Sequence, residues 1–298
     1  MVRPAQFSYN TETAKNNAFQ TKDEFATSDA VRQKAMAEFD ALVDLLRSRA
    51  IHVFVWQDTP TPPKPDAVFP NNWATFHADG TIVFYPMFAA SRRAERSEPL
   101  IEALSERFKI SKKLHLEQYE QNHKFLEGTG SMILDRKNGI CYACLSPRTN
   151  LELLDEFCEL LHFKRLNFDA VDKNDTPIYH TNVMMALGET FVVICLDSVR
   201  YRENRVELLK LFEKTGKEVI DISFEQMNHF AGNMLQVKND FGETFLLMSS
   251  QAYKSLHPQQ IAHINRHTTI LHSDISTIEK YGGGSVRCMM AEIFLPLK

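Results

Sequence analysis

The sequence predicts an α/β fold of five repeated units gathered around a shared centre, and three observations carry that prediction. Helical periodicity recurs in five segments, the last four of which start 53 residues apart, near residues 98, 151, 204 and 257. A short apolar run follows each helical segment, and between units lies a polar knot followed by two strand-like runs separated by a turn signal. The first run after each knot is largely apolar, which places it at a buried centre with the helices outside. The knots then converge, and a shared centre can bring residues far apart in sequence into one pocket. The competing arrangement is two unrelated α/β domains with accidental spacing. No linker rich in Pro, Gly or Ser divides the chain, and the one proline cluster, DTPTPPKPDAVFP, reads as a loop entering the first knot.

In order, the helical segments are DAVRQKAMAEFDALVDLLRSRA from residue 29, EPLIEALSERFKI, LELLDEFCELLHF, NRVELLKLFEKTG and HPQQIAHINRHTT. HVFVW follows the first as a strand, and KEVIDISF follows the fourth. The paired runs are NNWATFHADGTIVFYPM, GTGSMILDRKNGICYACL, HTNVMMALGETFVVICL, GNMLQVKNDFGETFLLMSS and the shorter GSVRCMMAEIFLP. Four carry hairpin turns, ADG, RKNG, LGE and NDFGE. SMIL, VMMA, NMLQV and VRCMM are expected as the central strands. The knots, near 71–73, 127–131, 180–183, 232–234 and 284–288, thus belong to one expected domain over 1–298.

Composition narrows the function classes. With 44% hydrophobic and 24% charged residues and a net charge of −4, the chain reads as globular. No basic tract exceeds SRR, which argues against nucleic acid or an anionic membrane as partner and leaves a small molecule as the default. The first twenty residues hold no apolar core of a signal peptide and no stretch approaches 18 apolar residues, so a cytoplasmic protein is expected. The five cysteines then read as thiols. Cys141 and Cys144 resemble a metal pair but lie in an apolar strand pattern with no second pair, so they read as core. Cys158 and Cys195 read as packing, and IAHINRH as a solvated helix face rather than a metal site.

The knots hold Asn71 and Asn72, then Glu127 with Gly128, then His180 with Asn182, then Asn233, then Arg287 and Cys288. A cysteine, a histidine and a carboxylate from separate repeats can act as nucleophile, general acid/base and orienting or substrate-binding group. The glycines of YGGGSVRCMM would let the backbone approach a ligand closely. Arg287 beside the thiol would favour the thiolate.

These blocks resemble those of the pentein superfamily, which includes arginine and agmatine deiminases, dimethylarginine hydrolases and amidinotransferases. GGGSVRCMM is similar to the glycine-rich cysteine segment of arginine deiminases, FLEGTG to an EGGD block and YHTN to an HxD block, over nearly the whole chain from about residue 30. The resemblance implies a five-bladed ββαβ propeller with pseudo-fivefold symmetry and a central active site. It also implies Cys288 as nucleophile, His180 as general acid/base and Glu127 as a carboxylate on the substrate nitrogens.

The departures carry substrate information. Deiminases commonly place aspartates where Asn72 and Asn182 stand, and these grip the cationic guanidinium. An amide can donate as well as accept, so it suits the carbonyl of a neutral ureido group. In EGTG, threonine and glycine replace glycine and aspartate. The wider pattern resembles citrulline-utilising hydrolases, which implies hydrolysis of citrulline to ornithine, carbon dioxide and ammonia without metal or organic cofactor. Asn72 or Asn182 would hold the tetrahedral oxygen, with Asn71 and Arg287 alongside. From SRRAER, which holds Arg92, Arg93 and Arg96, Arg93 is expected on the substrate α-carboxylate. Arginine deimination or amidino transfer, and a catalytically silent binding protein, remain as alternatives, and self-association is left open.

Overall fold

A computed structural model describes residues 1–15, 17–21 and 27–298. Four three-stranded sheets share one topology. In the first, Ala74–Phe76 runs antiparallel to Thr81–Phe84, which pairs in parallel with Lys112–His115. The pattern recurs in Ile133–Asp135, Ile140–Cys144 and Lys164–Phe168. It recurs again in Met185–Leu187, Phe191–Ile194 and Glu218–Asp221 and in Leu235–Lys238, Thr244–Ser249 and Thr269–Ser273.

Each parallel pair is joined by a crossover containing one of the last four expected helices, found at Glu98–Ser105, Leu151–Leu160, Arg202–Lys214 and Pro258–Ile264. A parallel connection needs such a crossover, whereas the antiparallel pair closes through a short turn. Gly80, Gly139 and Gly242 take φ of +85°, +63° and +80° in three of those turns, a backbone region that L side chains resist. Helix starts are fixed by side chains accepting from free backbone N–H groups: Thr27 from Ala30, Ser97 from Leu100 and Asn150 from Leu153. The middle strands are buried along their length except at Thr244, so they read as apolar runs rather than alternating ones.

Two expected strands take another form. Of HVFVW, only Trp56 enters a strand, the two-residue Trp56–Gln57, parallel to Val2–Arg3. VRCMM forms a 3-10 turn, Val286–Met289, and only Ile293 beyond it bridges to Phe76. The cause is shared with the other knots, whose short turns Pro70–Asn72, Gly128–Ser131 and Thr181–Met184 precede the hairpin strands. These turns aim polar side chains at one another, which an extended chain with alternating sides would not do.

The knots are stitched in series. Thr129 Oγ1 donates to Asn71 O at 3.2 Å and Thr181 Oγ1 to Ser131 O at 2.5 Å. Asn233 Nδ2 donates to Asn182 O at 2.9 Å, and Arg287 N to Asn233 Oδ1 at 3.1 Å. The turn Val286–Met289 packs against Pro70–Asn72. Among the described residues, no helix is long and apolar enough to cross a membrane.

Candidate active site

Cys288 lies in the turn Val286–Met289, buried, just after three glycines. Gly283 caps the preceding helix at φ +63°, and a Cβ there would come within 2.5 Å of Asn17 Nδ2. Its carbonyl accepts from Asn17 Nδ2 at 3.1 Å and from Tyr179 Oη at 3.0 Å. The glycine run therefore lets the N-terminal segment and the third knot close on the cysteine loop. Two amides point at the sulfur: Asn182 Nδ2 at 3.5 Å and Asn233 Nδ2 at 3.3 Å. Both place an N–H donor against the nucleophile's sulfur.

Arg287 does not serve that end. Its guanidinium donates to Met290 O at 2.9 Å and to Glu292 Oε2 at 3.0 Å, away from the thiol. The other four cysteines are free and buried. Burial pushes the Cys144 thiol up to about 12 and that of Cys195 to about 11. Those two are packing groups at neutral pH.

His180 Nε2 lies 2.8 Å from Glu127 Oε2. An ionised carboxylate can only accept, so Nε2 carries the proton and Nδ1 keeps its lone pair. Burial, only partly opposed by Glu127, lowers the His180 pKa to about 4, so the ring is neutral at pH 7. Burial pushes the Glu127 pKa up, yet Arg148, His180 and Arg92 together hold it well below the usual carboxylate range. Arg148 Nη1 stands 3.4 Å from Glu127 Oε2, and Phe88 N donates to Oε1 at 2.9 Å. Gly128, at φ +45°, permits this placement, because a Cβ would lie 2.4 Å from Asn71 O.

A second charged group adjoins the first. Arg92 makes a fork to Glu95, both bonds 2.8 Å, and donates through Nη1 to Asn72 Oδ1 at 2.8 Å. Asp66 Oδ2 accepts from Asn10 Nδ2 at 2.7 Å. Burial raises the Asp66 pKa, against the pull of Arg92. Among the described residues, Asp66 Oδ1, Asn72 Nδ2, Asn182 Oδ1 and both polar atoms of the Asn71 side chain are buried without a hydrogen-bond partner.

A narrow cavity of about 20 Å³ is lined by Cys288, His180, Asn72, Arg92, Arg148, Asp66 and Tyr179, with Thr13, Asn17, Phe69 and the three glycines completing the wall. Of the residues expected from sequence, Cys288, His180 and Asn72 face it together. Glu127 stands behind His180, Asn182 contacts the sulfur without lining the cavity, and Asn71 is buried outside it. Arg93 is elsewhere, donating to Met87 O and lying 3.3 Å from Glu120. Its neighbour Arg92 supplies the buried cation, which a run of three arginines did not single out. Arg148 and Asp66 went unnoticed because they sit in irregular segments, SPRTN and the proline cluster, that carry no periodicity.

The family model for N,N-dimethylarginine dimethylhydrolase, eukaryotic form, matches residues 3–295. No curated protein matches the chain. Among solved structures, a variant of the N-terminal domain of ArgZ, covalently bound to a reaction intermediate, is 17% identical at a TM-score of 0.74, covering 99% of this chain and 98% of that one. ArgZ is an arginine dihydrolase of the ornithine–ammonia cycle in cyanobacteria. AgrE in complex with L-arginine is 18% identical, with a TM-score of 0.75, covering all of this chain and 40% of that one. The chain likewise spans 40% of full-length ArgZ. A dimethylarginine dimethylaminohydrolase adduct with S-methyl-L-thiocitrulline is 17% identical, with a TM-score of 0.64, over 97% of this chain and 96% of that one. With a family model spanning nearly its full length and pentein enzymes sharing its small-sheet α/β fold, the chain belongs to the N,N-dimethylarginine dimethylhydrolase family of the pentein superfamily.

Proposed function

We propose that the protein hydrolyses the ureido carbon–nitrogen bond of citrulline, yielding ornithine, carbon dioxide and ammonia. The orientation of Asn72 carries this reading. Arg92 can only donate, so the atom facing it must be Oδ1, and the free amide atom, Nδ2, is a donor. A Cβ added to Gly130 would touch both Asn72 Nδ2 and the His180 ring, which places that donor beside the base. A guanidinium offers no acceptor to it; a ureido oxygen does.

In the proposed sequence, the Cys288 thiol passes its proton to His180 Nδ1 as sulfur attacks the ureido carbon. Asn72 Nδ2 holds the oxygen of the tetrahedral adduct. Collapse breaks the bond to the ornithine nitrogen, which leaves with the proton from His180 and yields S-carbamoyl cysteine. His180 then deprotonates water, which releases carbamate and regenerates the thiol; carbamate falls to carbon dioxide and ammonia. Glu127 stabilises the imidazolium at each transfer and Arg148 keeps Glu127 ionised. Arg92 and Arg148, and not Arg93, are the cations lining the cavity where a substrate α-carboxylate would sit.

A second reading, with arginine as substrate, is favoured by Asp66, a buried carboxylate on the cavity wall with one unpaired oxygen. The serial bonding of the knots supports one catalytic domain over 1–298 arranged as five blades, the fifth assembled from both ends of the chain. Separate incubations with citrulline and arginine, followed by mass spectrometry, test the substrate. Ornithine from citrulline with arginine untouched is expected, whereas citrulline formed from arginine would transfer the assignment to the guanidino substrate.

A further inference from the structure

Outside the cavity, three metal-ligating side chains converge on the surface. Glu218 opens the strand Glu218–Asp221, His263 lies in the last turn of the helix Pro258–Ile264, and His267 lies four residues on, in the turn that follows it. Their donor atoms all fall within 4.8 Å of one another. Both imidazoles present Nε2 to the same carboxylate: His263 to Oε1 and His267 to Oε2, the latter at 2.7 Å. None of these residues lines the Cys288 cavity.

We propose that Glu218, His263 and His267 form a zinc site that fastens the helix of the fourth unit to the sheet of the third. Two histidines and one carboxylate are a donor set that zinc takes, with a fourth position left to water. The ligands of such a shell stand about 2.0–2.2 Å from the ion and hence about 3.4 Å from one another, so the two imidazole–carboxylate pairs, now in hydrogen-bond contact, must open slightly by side-chain rotation to admit it.

A separate observation distinguishes this cluster from an ordinary surface ion pair. Thr190 Oγ1 lies 2.8 Å from His267 Nδ1, the nitrogen that would not touch the metal. Without metal, Nε2–H donates to Glu218 and Nδ1 accepts from the threonine hydroxyl. With metal, the proton moves to Nδ1, and the same hydroxyl accepts it. A hydroxyl serves both tautomers, and partners of this kind orient metal-bound imidazoles. Thr190 is itself held in place, because its carbonyl accepts from Glu218 N at 2.9 Å, and Phe191 packs against His267 with ring centroids 5.2 Å apart.

One group opposes the ion. Arg266 Nη2 donates to Glu218 Oε1 at 3.1 Å, so a metal must displace an exposed guanidinium whose charge repels it. Removing that charge should therefore tighten binding.

The test is calorimetric titration of the full chain with Zn²⁺, run on wild type and on Cys288→Ser, so that ligation by the active-site thiol is separated from the surface site. One ion bound in both proteins is expected. Affinity should drop roughly tenfold or more in His263→Ala, His267→Ala and Thr190→Val, and rise in Arg266→Ala. Substituting Co²⁺ should give ligand-field bands without a sulfur charge-transfer band. Metal-free melting temperatures matching wild type establish that each variant folds, and His267→Gln replaces any that does not. Absence of binding, binding indifferent to both histidine substitutions, or binding lost in Cys288→Ser alone would each overturn the proposal.

Discussion

Replacing Asn72 by aspartate tests the substrate assignment at one atom. The acceptor facing Arg92 survives, since a carboxylate oxygen takes the 2.8 Å bond from Nη1, so the fold keeps its buried contact. The other atom changes from donor to acceptor. The tetrahedral oxygen then loses a hydrogen bond and meets a like charge. Loss of one such donor costs about 100- to 1,000-fold in turnover, or roughly 2.7–4 kcal/mol. We expect kcat/KM for citrulline to fall at least about 100-fold, with any residual preference moving towards arginine, whose guanidinium a carboxylate grips by charge-assisted bonds. The added charge should also raise the His180 pKa from about 4, displacing the acid limb of the pH profile to higher pH. Ornithine and citrulline release, measured by mass spectrometry from pH 5 to 9 beside a melting curve, provide the readout. A folded variant that turns over citrulline within about threefold of wild type would refute the role given to Nδ2.

Cys288→Ser should abolish turnover while leaving the melting temperature nearly unchanged, because Asn182 and Asn233 still find an acceptor; measurable product would eliminate the nucleophile. His180 is neutral in the folded protein down to about 4, against 6.5 in the unfolded chain. Below pH 6.5 only the unfolded state gains that proton, so stability should fall between pH 6.5 and about 4, by about 3 kcal/mol for this group. Urea unfolding in that window should show a shallower slope in a folded His180→Phe variant. Glu279, held by Ser285 Oγ at 2.6 Å, is pushed by burial up to about 7. A raised carboxylate destabilises as pH climbs through that value, so Glu279→Gln should unfold later than wild type at pH 8 and no later at pH 5, as denaturant midpoints would reveal. Gly283→Ala meets both a positive φ and Asn17, and should cost about 1–3 kcal/mol and lower turnover, read from melting and activity together.

Local chemistry made the frame legible. The turns around Gly80, Gly139 and Gly242 and the caps at Ser97 and Asn150 are written in residues whose conformational preferences are strong, and the four helices begin at residues 98, 151, 202 and 258, close to the expected starts. Cys288, His180 and Glu127 stand out in the sequence because each opens or closes a knot. Side-chain direction within irregular backbone was not legible. Arg287 precedes the nucleophile yet points to Glu292, and Arg93 yields to Arg92 by one position on a 3-10 turn. Asn71 and Asn72 are adjacent, but only the second reaches the cavity. The convergence of His263 and His267 of IAHINRH with Glu218 was not legible either, because Glu218 lies in another unit.

The bond between Asn17 and Gly283 spans 266 residues and forms part of the wall around the thiol. Contacts of such long range are slow to form, and any local opening of the folded state that breaks this one would expose the thiol behind it. The nucleophile is therefore shielded by the very seam that joins the two ends. Its rate of alkylation at low denaturant would report how often that seam parts, making Cys288 a built-in timer of the protein's breathing.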